Sequence, residues 1–237
     1  MVVKNKKLGF TLAEIMLTLS MIGILATLTV STIGGSIQQR ARQSEFRAAY
    51  AKLESALRSI TIDEGKIYRC YAIPTGNDKA TFGLTRVSAT NVALNDCSAF
   101  EEAFSKALGR VKTCESSPQT NGCIPNNYPE DTNYYKKNDS NARAYVMDNG
   151  MILWVGTQGI AGFVIDINGR SAPNKWGQDL FPFMIKVTET KTIGDKIYPV
   201  SIGILPPPPT SDNYQPPVTG SGKTTWQLML ESANYKK

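Results

Sequence analysis

From Ile15 to Gln39 the chain carries no charged side chain. Coiled as an α-helix at about 1.5 Å per residue, that stretch spans roughly 37 Å, enough to cross the hydrocarbon core of a bilayer. Lys4, Lys6 and Lys7 precede it, so the positive-inside rule places that end in the cytoplasm. A secretory signal is cut after its apolar region, at a small-x-small site. Ala26-Thr27-Leu28 is a poor candidate, because helix-compatible residues simply continue. The apolar segment therefore reads as retained. Glu14 stands at its head. A carboxylate in a membrane segment costs on the order of 2.5–3.5 kcal/mol near the centre and less towards an end, so Glu14 calls for a partner. Within the chain the nearby cations are the leading lysines. A plain signal anchor, with Glu14 snorkelling to the interface, is one reading of this pattern.

Beyond the segment the composition is globular: of 237 residues, 41% are hydrophobic and 19% charged, a balance that can bury a core. The formal charge of +6 falls by three when the leading lysines are set aside. That weak excess is ordinary for a solvated surface and does not predict nucleic-acid binding. The chain has no histidine, which excludes Ser-His-Asp triads, Cys-His dyads and histidine-ligated zinc. Cys70, Cys97, Cys114 and Cys123 all lie beyond the apolar segment. An even count in an exported domain points to two disulfides. Four cysteines allow three pairings; Cys114–Cys123, closing a loop, is preferred, which leaves Cys70–Cys97. The absence of a C-x-x-C pair disfavours a four-cysteine zinc site.

The lysine-bearing leader, Gly9, and then Phe10-Thr11-Leu12-Ala13-Glu14 before a long apolar helix resemble the type IV prepilin signature. Pilins, the pseudopilins of type II secretion systems and competence pseudopilins share it. The likeness covers about the first thirty residues. It implies a prepilin peptidase that cuts after Gly9, N-methylation of the new terminus Phe10, and a subunit-assembly role for Glu14, whose carboxylate would meet the Phe10 amine of a neighbouring subunit. It also implies a bacterial inner-membrane protein of single pass, with leader cytoplasmic and globular domain periplasmic or extracellular. Such a subunit sits in membrane lipid before assembly. It then polymerises with pilin-like subunits on an inner-membrane platform driven by a cytoplasmic ATPase. No cofactor and no enzyme activity are implied. One departure stands out: no proline lies between Phe10 and Ile73, and Gly23 and Gly34-Gly35 would have to supply any flexibility.

The expected organisation follows. Residues 1–9 are the leader, 10–34 the transmembrane and fibre-core half of a long helix, and 35–65 its amphipathic half. Phe46, Tyr50, Leu53, Leu57 and Ile60 form an apolar stripe at helical spacing, and Gly65 is a plausible stop. Residues 66–205 make a globular α+β domain, 206–222 a proline-rich connector and 223–237 a terminal helix. Within the domain, Pro74-Thr75-Gly76-Asn77 reads as a turn. Ser98-x-x-Glu101 reads as a capping box, with Phe100, Phe104, Ala107 and Leu108 on the helix that follows and Gly109 ending it. Residues 114–141 read as a loop. Residues 144–147 and 152–155 form a hairpin around Asp148-Asn149-Gly150, with further strands at 163–167, 181–187 and 197–205. The expected fold is thus an α+β type IV pilin-like roll, a long amino-terminal helix packed on an antiparallel sheet.

Other candidate sites are weaker. Asp166-Ile167-Asn168-Gly169, then Pro173-Asn174, Gly177 and Asp179-Leu180-Phe181, resemble a segment of many pilin-like carboxyl-terminal domains. Asp166, Asn168 and Asp179 could offer oxygens to calcium, but the spacing is not that of an EF-hand. Turn-forming, self-capping Asp and Asn are the preferred reading. Gly220-Ser221-Gly222-Lys223-Thr224 lacks the P-loop's first glycine, since Pro217 occupies that position. Tyr128, Tyr134, Tyr135, Lys136 and Lys137 could stack and bind single-stranded DNA, an adhesion or DNA-uptake alternative; tyrosines packed on their own sheet are preferred. An enzyme would need paired carboxylates, for which Glu101-Glu102 and Glu130-Asp131 are the adjacent pairs.

Overall fold

The computed structural model describes residues 11–63, 93–129, 132, 135–156, 162–193, 196–207, 218 and 222–234. Helix α1 runs Leu12–Asp63, α2 Ala93–Ala107 and α3 Thr225–Asn234. The strands are β1 (Arg110–Cys114), β2 (Arg143–Met147), β3 (Ile152–Val155), β4 (Gly162–Asp166), β5 (Leu180–Ile193) and β6 (Lys196–Leu205). They form one six-stranded sheet in sequential order, every neighbour antiparallel. Short connections join β2 to β3 and β5 to β6, as antiparallel neighbours allow, whereas residues 115–142 separate β1 from β2 and 167–179 separate β4 from β5.

The chain divides into two compact units, Met1–Ser44 and Glu45–Lys237. This corrects the expected pilin-like roll. The amino-terminal stretch of α1 is not part of the sheet-bearing body, to which only residues 45–63 of that helix belong. The sheet, not the helix, organises that body, and it is apolar on both faces. Every residue of β3 and of β4 is buried, where a sheet covered by one helix alone would alternate buried and exposed positions.

On one face Phe46, Leu53, Leu57 and Ile60 of α1 join Phe100 and Phe104 of α2 against Leu153, Phe163, Phe183 and Ile185. Burying each such side chain stabilises the unit by about 1.5–3 kcal/mol. The Phe46 ring meets the edge of Phe181 at 4.9 Å. The Tyr50 hydroxyl lies 2.7 Å from Glu54 Oε1 and 3.1 Å from the Ile204 carbonyl of β6. Lys52 Nζ donates to Asp148 in the β2–β3 turn at 2.9 Å. The opposite face is covered by the loop after β1: Ile124, Tyr128 and Tyr135 pack on Ile152, Trp154, Val164 and Trp176.

Two further expectations are adjusted. α2 starts at Ala93, before Ser98, so Ser98 is inside the helix and is not its cap. β1 was not expected; it is a short edge strand with a register irregularity between Arg110 and Lys112, and with Val111 and Lys112 exposed side by side it leaves no apolar alternation to read. Such irregular, charged edges discourage pairing with other chains. Gly109, at φ +81°, sits where a Cβ would lie 2.7 Å from the Asp148 carboxylate, so the close approach that joins α2 to β1 requires glycine.

Candidate functional site

The amino-terminal unit opens with a reciprocal cap. The Thr11 N–H donates to Glu14 Oε2 at 2.9 Å and its hydroxyl donates to the same oxygen at 3.0 Å, while the Glu14 N–H returns to Thr11 Oγ1 at 3.3 Å. This is the capping-box geometry that a Thr-x-x-Glu sequence encodes. It gives Glu14 a partner inside its own helix, a role the sequence reading missed although the spacing displays it. Gly9 and Phe10 lie outside the described residues.

Past the cap, Leu12, Ile15, Met16, Leu17, Leu19, Met21, Ile22, Ile24 and Leu25 are all exposed, by 46 to 78%. At 100° per residue these positions surround the helix, so it has no polar side to turn to water. The polar side chains among them bond back along the helix. Thr18 Oγ1 donates to the Ile15 carbonyl at 3.0 Å, Ser20 Oγ to Met16 at 2.8 Å and Thr27 Oγ1 to Ile24 at 2.8 Å. Hydroxyls satisfied in this way carry little cost in an apolar medium. Among the described residues, no helix is long and apolar enough to cross a membrane; the side chains of residues 28–36, inside the uncharged run, are not among them.

In the globular unit, Cys114 and Cys123 are joined in a disulfide with Cα atoms 6.1 Å apart. It closes the turn that begins the covering loop. Cys97 is also disulfide-bonded; its expected partner Cys70 lies outside the described residues, as does the turn at Pro74–Asn77.

The Asp166–Asp179 segment is a buried cluster of hydrogen bonds. Asp166 Oδ1 accepts the amides of Asn168 and Gly169 at 3.1 and 2.8 Å, and its Oδ2 accepts the Tyr128 hydroxyl at 2.5 Å. Asp179 accepts the amides of Asn174 and Lys175, both at 2.6 Å. Both carboxylates are almost wholly buried. Burial, with Asp179 nearby, pushes the Asp166 carboxyl up to about 7. Burial raises Asp179 too. These residues do not fit a calcium site: each carboxylate oxygen already accepts a hydrogen bond, leaving Asn168 Oδ1 as the one oxygen of the three side chains without a partner, and Ca²⁺ takes six to eight oxygens. Among the described residues no group of three or more His, Cys, Asp or Glu is placed to hold a metal. The Asp and Asn side chains cap the turn that carries the chain from β4 to β5, as the preferred reading had it.

Most of the remaining described candidates are engaged within the fold. Thr224 and Gln227 cap α3 reciprocally at 2.8 and 3.2 Å, and Lys223 Nζ pairs with Glu231 at 2.6 Å, so among the described residues the lysine before that helix is already engaged. Gly220 and Ser221 lie outside the described residues. Tyr128 and Tyr135 are buried, their rings 5.7 and 5.6 Å from Trp154, so neither can stack on a base; Lys136 is exposed and Lys137 half-buried. Tyr134, Glu130 and Asp131 are outside the described residues. Glu101 and Glu102 diverge. Buried Glu101 accepts Arg143 through both oxygens at 2.6 and 2.7 Å and the Tyr145 hydroxyl at 2.6 Å, whereas Glu102 takes Arg110 on the surface. The Glu101–Arg143–Tyr145 bond set fastens α2 to β2; nothing in the local sequence distinguishes Glu101 from its neighbour. Comparison with family models, with curated proteins and with solved structures found no match to this chain.

Proposed function

We propose that the chain is a structural subunit, pilin or pseudopilin, of a type IV pilus or a type II secretion pseudopilus. One observation carries this reading: a single carboxylate, Glu14, held at the head of a helix whose apolar side chains point outward on every side. Nine large apolar side chains, each worth about 1.5–3 kcal/mol on burial, need lipid or other helices around them. Both are available in turn to a subunit that waits in the bilayer and then enters a fibre. A prepilin peptidase removes residues 1–9 and the amine of Phe10 is methylated. Loss of Lys4, Lys6 and Lys7 removes three positive charges and creates one amine beside the capping box. In the fibre, Glu14 of one subunit meets that amine on another, which fixes axial register and favours leaving lipid, because a charge stranded in an apolar medium is costly and a paired one less so. The platform and ATPase of the inner membrane supply the work of extraction. The globular unit, on the periplasmic or extracellular side, is a stapled, two-faced sheet; among the described residues its buried carboxylates, Glu101, Asp166 and Asp179, are engaged in an ion pair and in turn caps, which supports a structural role over catalysis.

Glu14→Ala tests the reading. Membrane integration is expected to persist while fibre formation is lost; fibres assembled by the variant at wild-type yield would refute the pairing role.

A further inference from the structure

The first cations after the uncharged run are Arg40 and Arg42. Both lie on continuous helix in the amino-terminal unit. Arg40 is exposed and Arg42 half-buried, and among the described residues neither is in an ion pair. At about 1.5 Å per residue they stand roughly 39 and 42 Å along the axis from Glu14. That matches the roughly 40–45 Å between the two polar boundaries of a bilayer. With the Thr11–Glu14 cap at one boundary, both arginines reach the other.

Their arrangement around the axis selects the ligand. Two residues apart on a helix means about 200° of rotation and about 3 Å of rise. The guanidinium groups therefore leave opposite sides of the helix at one level. They cannot converge on a single phosphate, which needs donors on one side. They can each meet a separate phosphate lying in a common plane, which is what one leaflet's headgroups present. We infer that Arg40 and Arg42 bind anionic phospholipid headgroups at the far boundary of the bilayer, on opposite sides of the helix. The inference rests on the reading that this helix sits in lipid before assembly. Its consequence is retention: once the leader lysines are gone, these two contacts hold the unassembled subunit at its depth, and they must break when it is drawn into a fibre.

The test uses the full chain reconstituted in bilayers of phosphatidylcholine with a minority of phosphatidylglycerol, with the lipids that stay bound counted by native mass spectrometry. Each basic residue near an anionic surface is worth about fivefold in local lipid preference. Wild type is expected to enrich phosphatidylglycerol at least that much over bulk, less so at high salt. R40Q/R42Q is expected to fall well below wild type, keeping only the share that Lys4, Lys6 and Lys7 attract, and R40K/R42K to keep most of the enrichment. An integrated wild-type chain with bulk composition, or equal enrichment in R40Q/R42Q, overturns the inference alone. Displacement of lipid by inorganic phosphate, beyond that by chloride at equal ionic strength, would overturn it in favour of a free-phosphate site. A chain that does not enter the bilayer overturns the embedded-helix reading, and this inference with it.

Discussion

Stability of the globular unit should fall as pH rises from about 4 to 7, and Asp166 should be the main cause. Its carboxyl is nearly wholly buried and titrates at about 7 in the fold, against about 3.9 in an unfolded chain. A carboxyl raised on folding favours the protonated native state. Its contribution is complete below the unfolded value and is lost progressively between about pH 4 and 7. Three units of difference at about 1.4 kcal/mol each set an upper figure of about 4 kcal/mol, shared with Asp179, since the two carboxylates feel one another and take up protons as a pair. The groups facing Asp166 are Tyr128 from the covering loop and Asp179 from the turn, with Arg170 acting more distantly on Tyr128. Asp166→Asn keeps an oxygen for the Asn168 and Gly169 amides and leaves the Tyr128 hydroxyl able to accept from the new amide. The variant should therefore be a few kcal/mol more stable relative to wild type at pH 8 than at pH 4. Denaturant unfolding of the full chain in detergent, followed through Trp154 and Trp176 from pH 4 to 9, measures the difference. Parallel pH profiles for wild type and variant would refute the reasoning.

Arg143→Ala should destabilise by about 3–5 kcal/mol, because it strands the buried Glu101 carboxylate; the matched Glu102→Ala change on the surface should cost under about 1 kcal/mol, and equal losses in urea unfolding would contradict the assignment of burial. Gly169→Ala should cost more than about 1–3 kcal/mol, since a Cβ there would sit 2.0 Å from the Gly150 carbonyl at φ +65°, and an unchanged melting temperature would show that the two turns do not touch.

Much of the sheet could be read in advance because its signals are local. Asn149-Gly150 between apolar runs marks a hairpin, and the expected strand segments fall on β2 to β6. Gly109 and the Asp-x-Asn-Gly turn mark changes of direction for the same reason. What failed was the step from elements to layers. Ile152–Val155 and Phe163–Ile165 are unbroken apolar runs, the mark of strands covered on both sides, yet the expected roll left one face of the sheet bare. The second cover is the Asn- and Pro-rich stretch after Cys114, whose polarity hides that Tyr128, Tyr135 and Ile124 point inward. β1 escaped notice because three of its five residues are Arg, Lys and Thr on an exposed edge. At the amino terminus the Thr-x-x-Glu spacing was legible as a cap, but the cost of a carboxylate in an apolar run drew attention to a partner outside the chain. The Glu101–Arg143 contact joins residues forty-two apart, and no local pattern encodes it.

The most direct measurement is the intact mass of the protein isolated from membranes of cells with and without a prepilin peptidase. With the enzyme present the mass should show loss of residues 1–9 and one added methyl on Phe10, and without it the uncut chain. A lysine-bearing amino terminus retained in peptidase-positive cells would rule out a prepilin.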